Sequence, residues 1–233
     1  MVAAMPLPIF PAHRLNPTEV NARPMQQVIS GGTSLAGEED VIATDGGGRW
    51  RIDMSGISLR TPYHQRLWSA WAGYLAGGAV ECLVPLLSLT TAPRPMAWER
   101  PARVTSVVDN DPMFPTSVAY AVPRIVARLG ANAPLRATTL QIDLQSAGKI
   151  EGGEKFSVGE QACRIIRRIS DGVYQTEPPL REAVFANQPV EFNWPLVKCK
   201  LALGQDMEGA IRLGRFSDVS ISFVESVPAL VPA

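Results

Sequence analysis

Residues 31–87 read GGTSLAGEEDVIATDGGGRWRIDMSGISLRTPYHQRLWSAWAGYLAGGAVECLVPLL and decide the fold of this chain. They contain a Gly-rich segment, a long strand, one helix and a buried strand, in that order. Thr61 can serve as the helix N-cap, and Pro62 suits the first helical position because an N–H there would stay unpaired. Gly77 and Gly78 can supply the left-handed residue that ends the helix. We therefore predict one amphipathic helix between two strands.

One face of this helix is apolar. Residues on that face recur at helical spacing, namely Leu67, Trp68, Trp71, Tyr74 and Leu75. A face of this kind must be buried against another layer. We predict that Leu67, Trp68, Trp71 and Leu75 form a core plug that closes the side of a β-sandwich.

The long strand before the helix carries a bulge signal. Trp50, Ile52 and Met54 alternate on one face, and the apolar phase then slips by one residue after Ser55 and Gly56. Such a slip at a glycine is typical of a β-bulge. The sequence therefore predicts a bulged strand over residues 49–59.

Two Gly-rich segments precede this strand. Residues 31–37 are predicted to be a loop and residues 45–48 a tight turn. A phosphate-binding loop must lead directly into a helix, whereas a strand follows each of these segments. The acidic residues 38–40 could bind a cation, but they lack EF-hand spacing, and a solvated turn is the preferred interpretation.

Composition limits the class of protein. The 233 residues suffice for one large domain or two small ones. Hydrophobic residues make up 46%, enough for a real core, and 22 basic and 22 acidic residues give zero net charge. Zero net charge argues against general nucleic-acid binding and is compatible with close self-assembly. The 20 prolines and 19 glycines indicate many short strands and few helices.

Cysteine usage predicts no metal site. Cys82, Cys163 and Cys199 lie far apart, and no Cys-x-x-Cys or Cys/His cluster is present. All three lie in apolar or alternating runs, where cysteine packs as a small hydrophobic residue. We predict three buried free thiols in a chain made in a reducing compartment.

No catalytic group is recognisable. His13 lies in the Pro-rich N-terminal segment and His64 in the first helical turn, in unrelated contexts. Neither has the partners of a metal site or a Ser-His-Asp triad. We predict no catalytic residues, no cofactor and no metal.

The start of the chain is too Pro-rich for a signal peptide, and no run approaches the roughly 20 apolar residues of a membrane span.

The two ends of the chain differ in regularity. Residues 1–20 are predicted to be an extended, Pro-rich arm, and residues 90–134 are a Pro-rich middle without a clear pattern. From residue 137 onwards, apolar and polar residues alternate, as in half-buried strands. Strands are predicted at 140–145, 156–159, 162–169, 173–176, 190–194, 197–203 and 219–223, with turns at Gly159–Glu160 and Asp171–Gly172.

These patterns predict a mainly β protein in two parts. Residues 1–136 are predicted to form a β-sandwich with an extended arm, one short packed α-helix and the Pro-rich middle. Residues 137–233 are predicted to form a second β-rich domain. The boundary is placed near Ala137 because the clean alternation begins there.

Three stretches carry a resemblance to a known family. They are SGGTSLAG…GGGRW within residues 27–50, FSVG…CRIIRRI…TEPPLREAV within 156–184, and LGRFSDVSISFVE at 213–225. In this order they resemble minor tail proteins of long-tailed, siphovirus-type bacteriophages. The functional type that they resemble most is the distal tail protein, which joins the tail tube to the tail tip or baseplate.

The resemblance implies a structural subunit of a virion tail, assembled in the cytoplasm of the host bacterium. It implies a ring-forming homo-oligomer, commonly a hexamer, that contacts neighbouring tail tube and tail hub proteins. It also implies that the second part is β-barrel-like, of the galectin or OB type. The candidate subunit interface then comprises Gly31, Gly32, Thr33, Ser34 and Leu35, together with Pro6, Pro8, Phe10 and Pro11 of the arm.

Other interpretations remain open at this point. The chain could be another tail component, such as a hub, tail-terminator or other minor tail protein. It could instead be a carbohydrate-binding β-sandwich module that recognises a host surface. A hydrolase with an unrecognised carboxylate pair is a fourth possibility.

Overall fold

A computed structural model describes residues 6–25, 28–33, 35–37, 39–43, 48–88, 90–94, 125–205, 207 and 218–227. Most of the Pro-rich middle, the turn residues 45–47 and Ser34 lie outside the described residues, as do residues 213–217 of the third family-like stretch.

The described chain is mainly β-structure with one long helix, which confirms the predicted fold class. Most strands are short and follow one another through tight turns. In chain order the elements are α1 Ala12–Leu15, β1 Glu19–Met25, β2 Val28–Thr33, β3 Glu39–Ala43, β4 Arg49–Ser58, α2 Pro62–Leu75, β5 Cys82–Pro85, β6 Val126–Leu129, β7 Thr139–Ser146, β8 Lys155–Val158, β9 Gln161–Ser170, β10 Val173–Glu177, β11 Pro189–Val190, β12 Leu196–Leu201 and β13 Asp218–Glu225.

The first sheet has five antiparallel strands in the order β1-β4-β13-β12-β5. The interior strand β4 contributes Trp50, Ile52 and Met54 to the core at alternate positions, as the period of a strand requires. The neighbouring strand β13 adds Ile221 and Phe223 on the same face. This sheet therefore supplies one wall of the first hydrophobic core.

The predicted bulge in β4 is confirmed. Two of its residues, Ser55 and Gly56, face a single residue of β13, Ser220. Gly56 has φ +64°, and a Cβ there would lie 1.9 Å from the Thr18 hydroxyl oxygen. A larger residue is therefore disfavoured by the backbone angle, and it would also force the Thr18 side chain to move.

Helix α2 begins as predicted. The Thr61 hydroxyl accepts a hydrogen bond from the His64 backbone N–H at 3.2 Å, and Pro62 occupies the first turn. The helix ends one residue earlier than the glycines suggested, because Ala76 already has a left-handed φ of 43° ahead of Gly77.

The apolar face of α2 packs on the first sheet. Trp68 and Leu75 are buried, while Leu67 and Trp71 are partly buried against the same core. Trp68 Nε1 donates to the carbonyl oxygen of Met207 at 2.6 Å, so the indole's polar edge is satisfied. The structure thus places the four predicted plug residues at the helix–sheet contact.

The second sheet has six strands in the order β11-β6-β7-β10-β9-β8. The turns at Gly159–Glu160 and Asp171–Gly172 connect β8 to β9 and β9 to β10, as predicted. The sheet curls until Ser157 of β8 pairs with Glu191, directly after β11. It is therefore a nearly closed barrel, which confirms the β-barrel-like part.

The sheets do not divide the chain at residue 136. Strands β12 and β13, from the predicted C-terminal part, lie in the first sheet beside β5 and β4. Strand β6, from the predicted N-terminal part, lies in the barrel beside β7. In chain order, the barrel strands β6 to β11 lie between β5 and β12, and β5 and β12 pair with each other in the first sheet. Local alternation carries no signal for such an insertion.

All three cysteines are free and buried, which confirms the predicted buried thiols. Cys82 and Cys199 face each other across the β5–β12 ladder. Cys163 lies in the barrel core. Burial raises the pKa of Cys82 and of Cys163 to about 12, so both thiols are protonated at neutral pH.

Candidate functional site

The hairpin of β2 and β3 stands apart from both sheets. Within the described residues, its two strands form a ladder only with each other. A two-stranded hairpin outside the larger sheets is an element that can pair with another chain. It is therefore the first candidate for an association site.

The Gly-rich segment is part of this hairpin, which corrects the predicted loop at 31–37. Gly31, Gly32 and Thr33 continue β2, and the register with β3 shifts by one residue between Ser30 and Thr33. Gly32 has φ +100°, and a Cβ there would meet open space, so the backbone angle is what requires glycine. The structure therefore has a bulged hairpin in place of a loop.

The tip of the hairpin presents an apolar side chain to solvent. Leu35 is fully exposed in the turn between β2 and β3. Gly31, Gly32, Thr33 and Leu35, four of the predicted interface residues, thus share one projecting element.

The N-terminal arm has a different role from the one predicted. It runs along β5, where the Phe10 N–H donates to the Leu83 carbonyl at 2.8 Å and the Leu83 N–H donates to the Pro8 carbonyl at 3.0 Å. The arm therefore covers the edge of the first sheet at β5. It also contains the single helical turn α1 where an extended segment was predicted.

Two residues of the arm must be removed from the candidate interface. Phe10 is completely buried, with its ring 4.9 Å from that of Phe223 and 5.3 Å from that of Trp71. Pro11 is buried beside it, whereas Pro6 and Pro8 are exposed. Phe10 and Pro11 cannot contact a neighbouring subunit because they fill the core of their own chain.

The opposite edge of the first sheet, at β1, is also protected. The Trp50 N–H points towards β13 and donates to Glu225 Oε2. Trp50 therefore makes no ladder hydrogen bond with Pro24, its partner on β1, and the backbone groups of Pro24 and Ala22 point away from β4. Pro24 has no N–H to offer, and Lys155 Nζ of the barrel donates to the Ala22 carbonyl at 2.6 Å. Proline and lysine are common means of protecting an edge strand.

Lys155 makes this contact from a half-buried position. Burial lowers the pKa of its ammonium group, and the neighbouring Arg164 lowers it further. The hydrogen bond to Ala22 also ties the start of β8 to the first sheet.

The barrel closes its own edges. Ser157 and Glu191 exchange two backbone hydrogen bonds of 3.0 and 2.9 Å, which join β8 to the residue after β11. In the part of the chain that the structure describes, β2 and β3 therefore form a two-stranded sheet separate from the first sheet and the barrel.

A polar joint holds the barrel against the first sheet. Arg181, in the turn after β10, pairs with Glu225 at the end of β13 and also donates to the Gly48 carbonyl. Trp50 Nε1 donates to the Ala162 carbonyl of β9 at 2.8 Å. These contacts fix the barrel at the end of the sheet from which the hairpin projects.

Sequence reasoning missed this joint. Arg181 follows two prolines and Glu225 ends an alternating strand, and 44 residues separate them. No local pattern links the two positions, since their proximity depends on the insertion of the barrel. The only local signal is an acidic residue at the end of an otherwise apolar strand.

The residue types that bind metals do not cluster. Among the described residues, no group of three or more His, Cys, Asp and Glu side chains could hold a metal ion. The His13 ring contacts the ring of Trp194, and the His64 ring contacts that of Tyr63. Of the acidic residues 38–40, Glu39 and Asp40 begin β3, where a solvated turn was predicted.

Among the described residues, no helix is long and apolar enough to cross a membrane.

Comparisons with known proteins leave the family unassigned. No family model matches the chain, and no curated protein matches it significantly.

Proposed function

We propose that this chain is a structural subunit of the tail tip of a long-tailed bacteriophage, and that it acts as a distal tail protein. In this proposal, six copies form a ring that connects the tail tube to the hub or baseplate. The chain is made in the host cytoplasm and is carried in the virion tail. It has no catalytic role in this proposal.

The observation that carries the proposal is the projecting β2–β3 hairpin. A monomeric β protein protects its strand edges, and this chain protects those of the first sheet and of the barrel. Among the described residues, the hairpin strands form a ladder only with each other, and the hairpin ends in the exposed Leu35. Such an element is expected where a neighbouring copy completes the pairing, and contacts of one surface with a different surface generate rings when they close.

Two further features agree with a structural role. The barrel is tied to the first sheet by the Arg181–Glu225 pair and by hydrogen bonds from Trp50 and Lys155, so the two parts can bear load together. Zero net charge also avoids long-range repulsion between copies in a ring.

The test is the assembly state of the purified chain. We expect light scattering to give the mass of six copies and negative-stain electron microscopy to reveal a ring with a central channel. A monodisperse monomer at all concentrations would overturn the ring. If that monomer bound glycans on an array, the carbohydrate-binding alternative would replace the proposal.

A pair of leucine variants separates assembly from folding. Leu35→Asp at the hairpin tip should reduce assembly without lowering the free energy of unfolding. Leu203→Asp is the matched control, because Leu203 is equally exposed in the turn after β12. Equal assembly of the two variants would exclude the hairpin tip from the interface.

A further inference from the structure

An open groove lies on the barrel, between the segment that joins β7 to β8 and the β9–β10 hairpin. Its volume is about 290 Å³. The residues that line it are Leu144, Ala147, Gly148, Lys149, Ile150, Arg168, Asp171 and Tyr174. Small ligands commonly bind in the mouths of β-barrels, in clefts that begin at about this size. The groove therefore has the size of a site for one small molecule.

Tyr174 presents an unpaired hydroxyl group to this groove. The residue is only 4% exposed, and it belongs to the barrel core. Its hydroxyl forms no hydrogen bond with any residue that the structure describes, yet it is not among the atoms that are sealed from solvent. The small exposed part of Tyr174 thus includes the hydroxyl. Burial raises the pKa of Tyr174, so the phenol stays protonated at neutral pH and can donate as well as accept.

The groove also carries a surplus positive charge. Arg168 is already paired with Asp171, its neighbour in the β9–β10 hairpin. Lys149, on the β7–β8 segment, is exposed and has no acidic partner among the described residues. A ligand carboxylate can therefore pair with Lys149, while the exposed carboxylate of Asp171 can accept hydrogen bonds from ligand hydroxyl groups.

The β7–β8 segment is held in place on both sides of Lys149. The Gly148 N–H donates to the Pro93 carbonyl at 2.9 Å. Further along, the Glu154 carboxylate accepts the N–H groups of Glu151 and Gly152, each at 2.8 Å. A segment fixed in this way loses little conformational freedom when a ligand binds, which favours affinity.

We propose that this groove binds one sugar acid, a monosaccharide that carries hydroxyl groups and a single carboxylate. The carboxylate pairs with Lys149, a ring hydroxyl bonds to the Tyr174 hydroxyl, and the C–H groups of the sugar pack on Leu144 and Ala147. A neutral sugar lacks the charge and a simple carboxylate lacks the hydroxyl groups, so each satisfies only part of the site. The inference goes beyond the proposed ring, since each copy carries its own groove.

Saturation-transfer difference NMR with the full chain tests this site, because the method detects weak ligands of large assemblies. D-Glucuronate and D-galacturonate should bind about 10-fold more tightly than D-glucose, D-galactose or acetate. Tyr174→Phe should weaken uronate binding about 2- to 10-fold, because it removes one hydrogen bond and keeps the ring. Lys149→Gln should remove the preference for uronates over neutral sugars.

Two variants outside the groove are matched controls. Tyr74→Phe removes a hydroxyl that donates to the Glu81 carbonyl on the first sheet's side of the molecule, and Lys200→Gln removes a cation beside the Glu81 carboxylate. Both should leave uronate binding unchanged. Equal losses in these controls and in the groove variants would overturn the assignment of the site.

The remaining outcomes separate this inference from the proposed function. Absence of saturable binding with both uronates would overturn the inference, and so would acetate binding as tight as that of the uronates. Wild-type affinity in Tyr174→Phe would exclude the groove as the site. The ring is judged by light scattering, so a hexamer that binds no uronate would leave the ring standing, whereas a monomer that binds uronate in this groove would overturn the ring alone.

Discussion

Arg181 and Glu225 form an ion pair between the barrel and the first sheet, with Nε and Oε1 3.2 Å apart. The side chains are only 15% and 3% exposed. The second carboxylate oxygen of Glu225 accepts the Trp50 N–H at 2.9 Å, so both oxygens have partners. One carboxylate thus connects three segments that are distant in sequence.

Glu225→Gln should destabilise the fold by about 3 kcal/mol, because it leaves the largely buried Arg181 guanidinium without its counter-charge. Urea denaturation followed by tryptophan fluorescence measures the change. Glu160→Gln is the control, since Glu160 is about half exposed and lies 3.9 Å from Lys198, and it should cost less than about 1 kcal/mol. Equal losses in the two variants would contradict a stabilising role for the joint.

Trp68→Ala should cost about 3–5 kcal/mol, since it removes a buried indole and leaves a cavity under α2. Trp71→Ala should cost less, about 2 kcal/mol, because Trp71 is only partly buried. Both values follow from denaturation of the two variants under the same conditions. The reverse order would place Trp71 rather than Trp68 at the centre of the plug.

Phe10→Ala should destabilise the first sheet by about 3–5 kcal/mol, because the ring fills the core between Phe223 and Trp71. Pro6→Ala, at an exposed position, should change stability by less than about 0.5 kcal/mol. Circular dichroism during thermal unfolding can compare the two variants.

Truncation of residues 1–17 removes Phe10, so it should impair folding as well as any assembly. A truncated chain with wild-type stability would show that the arm is dispensable.

Stability should fall as the pH rises above about 8.5, where the thiols of an unfolded chain begin to lose their protons. Burial raises the pKa of Cys82 and Cys163 to about 12, so the folded chain retains those protons. The unfolded state then binds fewer protons than the folded state, and the free energy of unfolding decreases with pH. Urea midpoints at a series of alkaline pH values measure the slope.

Cys163→Ala provides the matched variant for this pH series. It removes one buried thiol, so its stability should decline less steeply between about pH 8.5 and pH 10. A slope identical to that of the wild type would mean that Cys163 does not contribute to the alkaline loss.

Features set by neighbouring residues could be predicted from the sequence. The Thr61 cap, the bulge at Ser55 and Gly56, and the turn at Asp171–Gly172 each follow from one or two residues whose backbone preferences are strong. The alternation of β4 and β7 likewise indicates which residues face a core. The candidate interface was only partly predictable, because the Pro-rich pattern of the arm does not indicate which of its residues pack into the core of their own chain.

Composition, hydrophobic period and capping residues were enough to predict a β-rich protein with one capped helix and three buried thiols. Hydrophobic period, turn residues and capping act over a few positions, so they can be read locally. The tertiary fold sets two further features: the barrel is inserted between β5 and β12, and the arm covers the β5 edge. The pairing of Arg181 with Glu225 was decided at the same level. These features depend on which distant strands share hydrogen bonds, and that choice minimises unpaired backbone over the whole molecule rather than within any one segment.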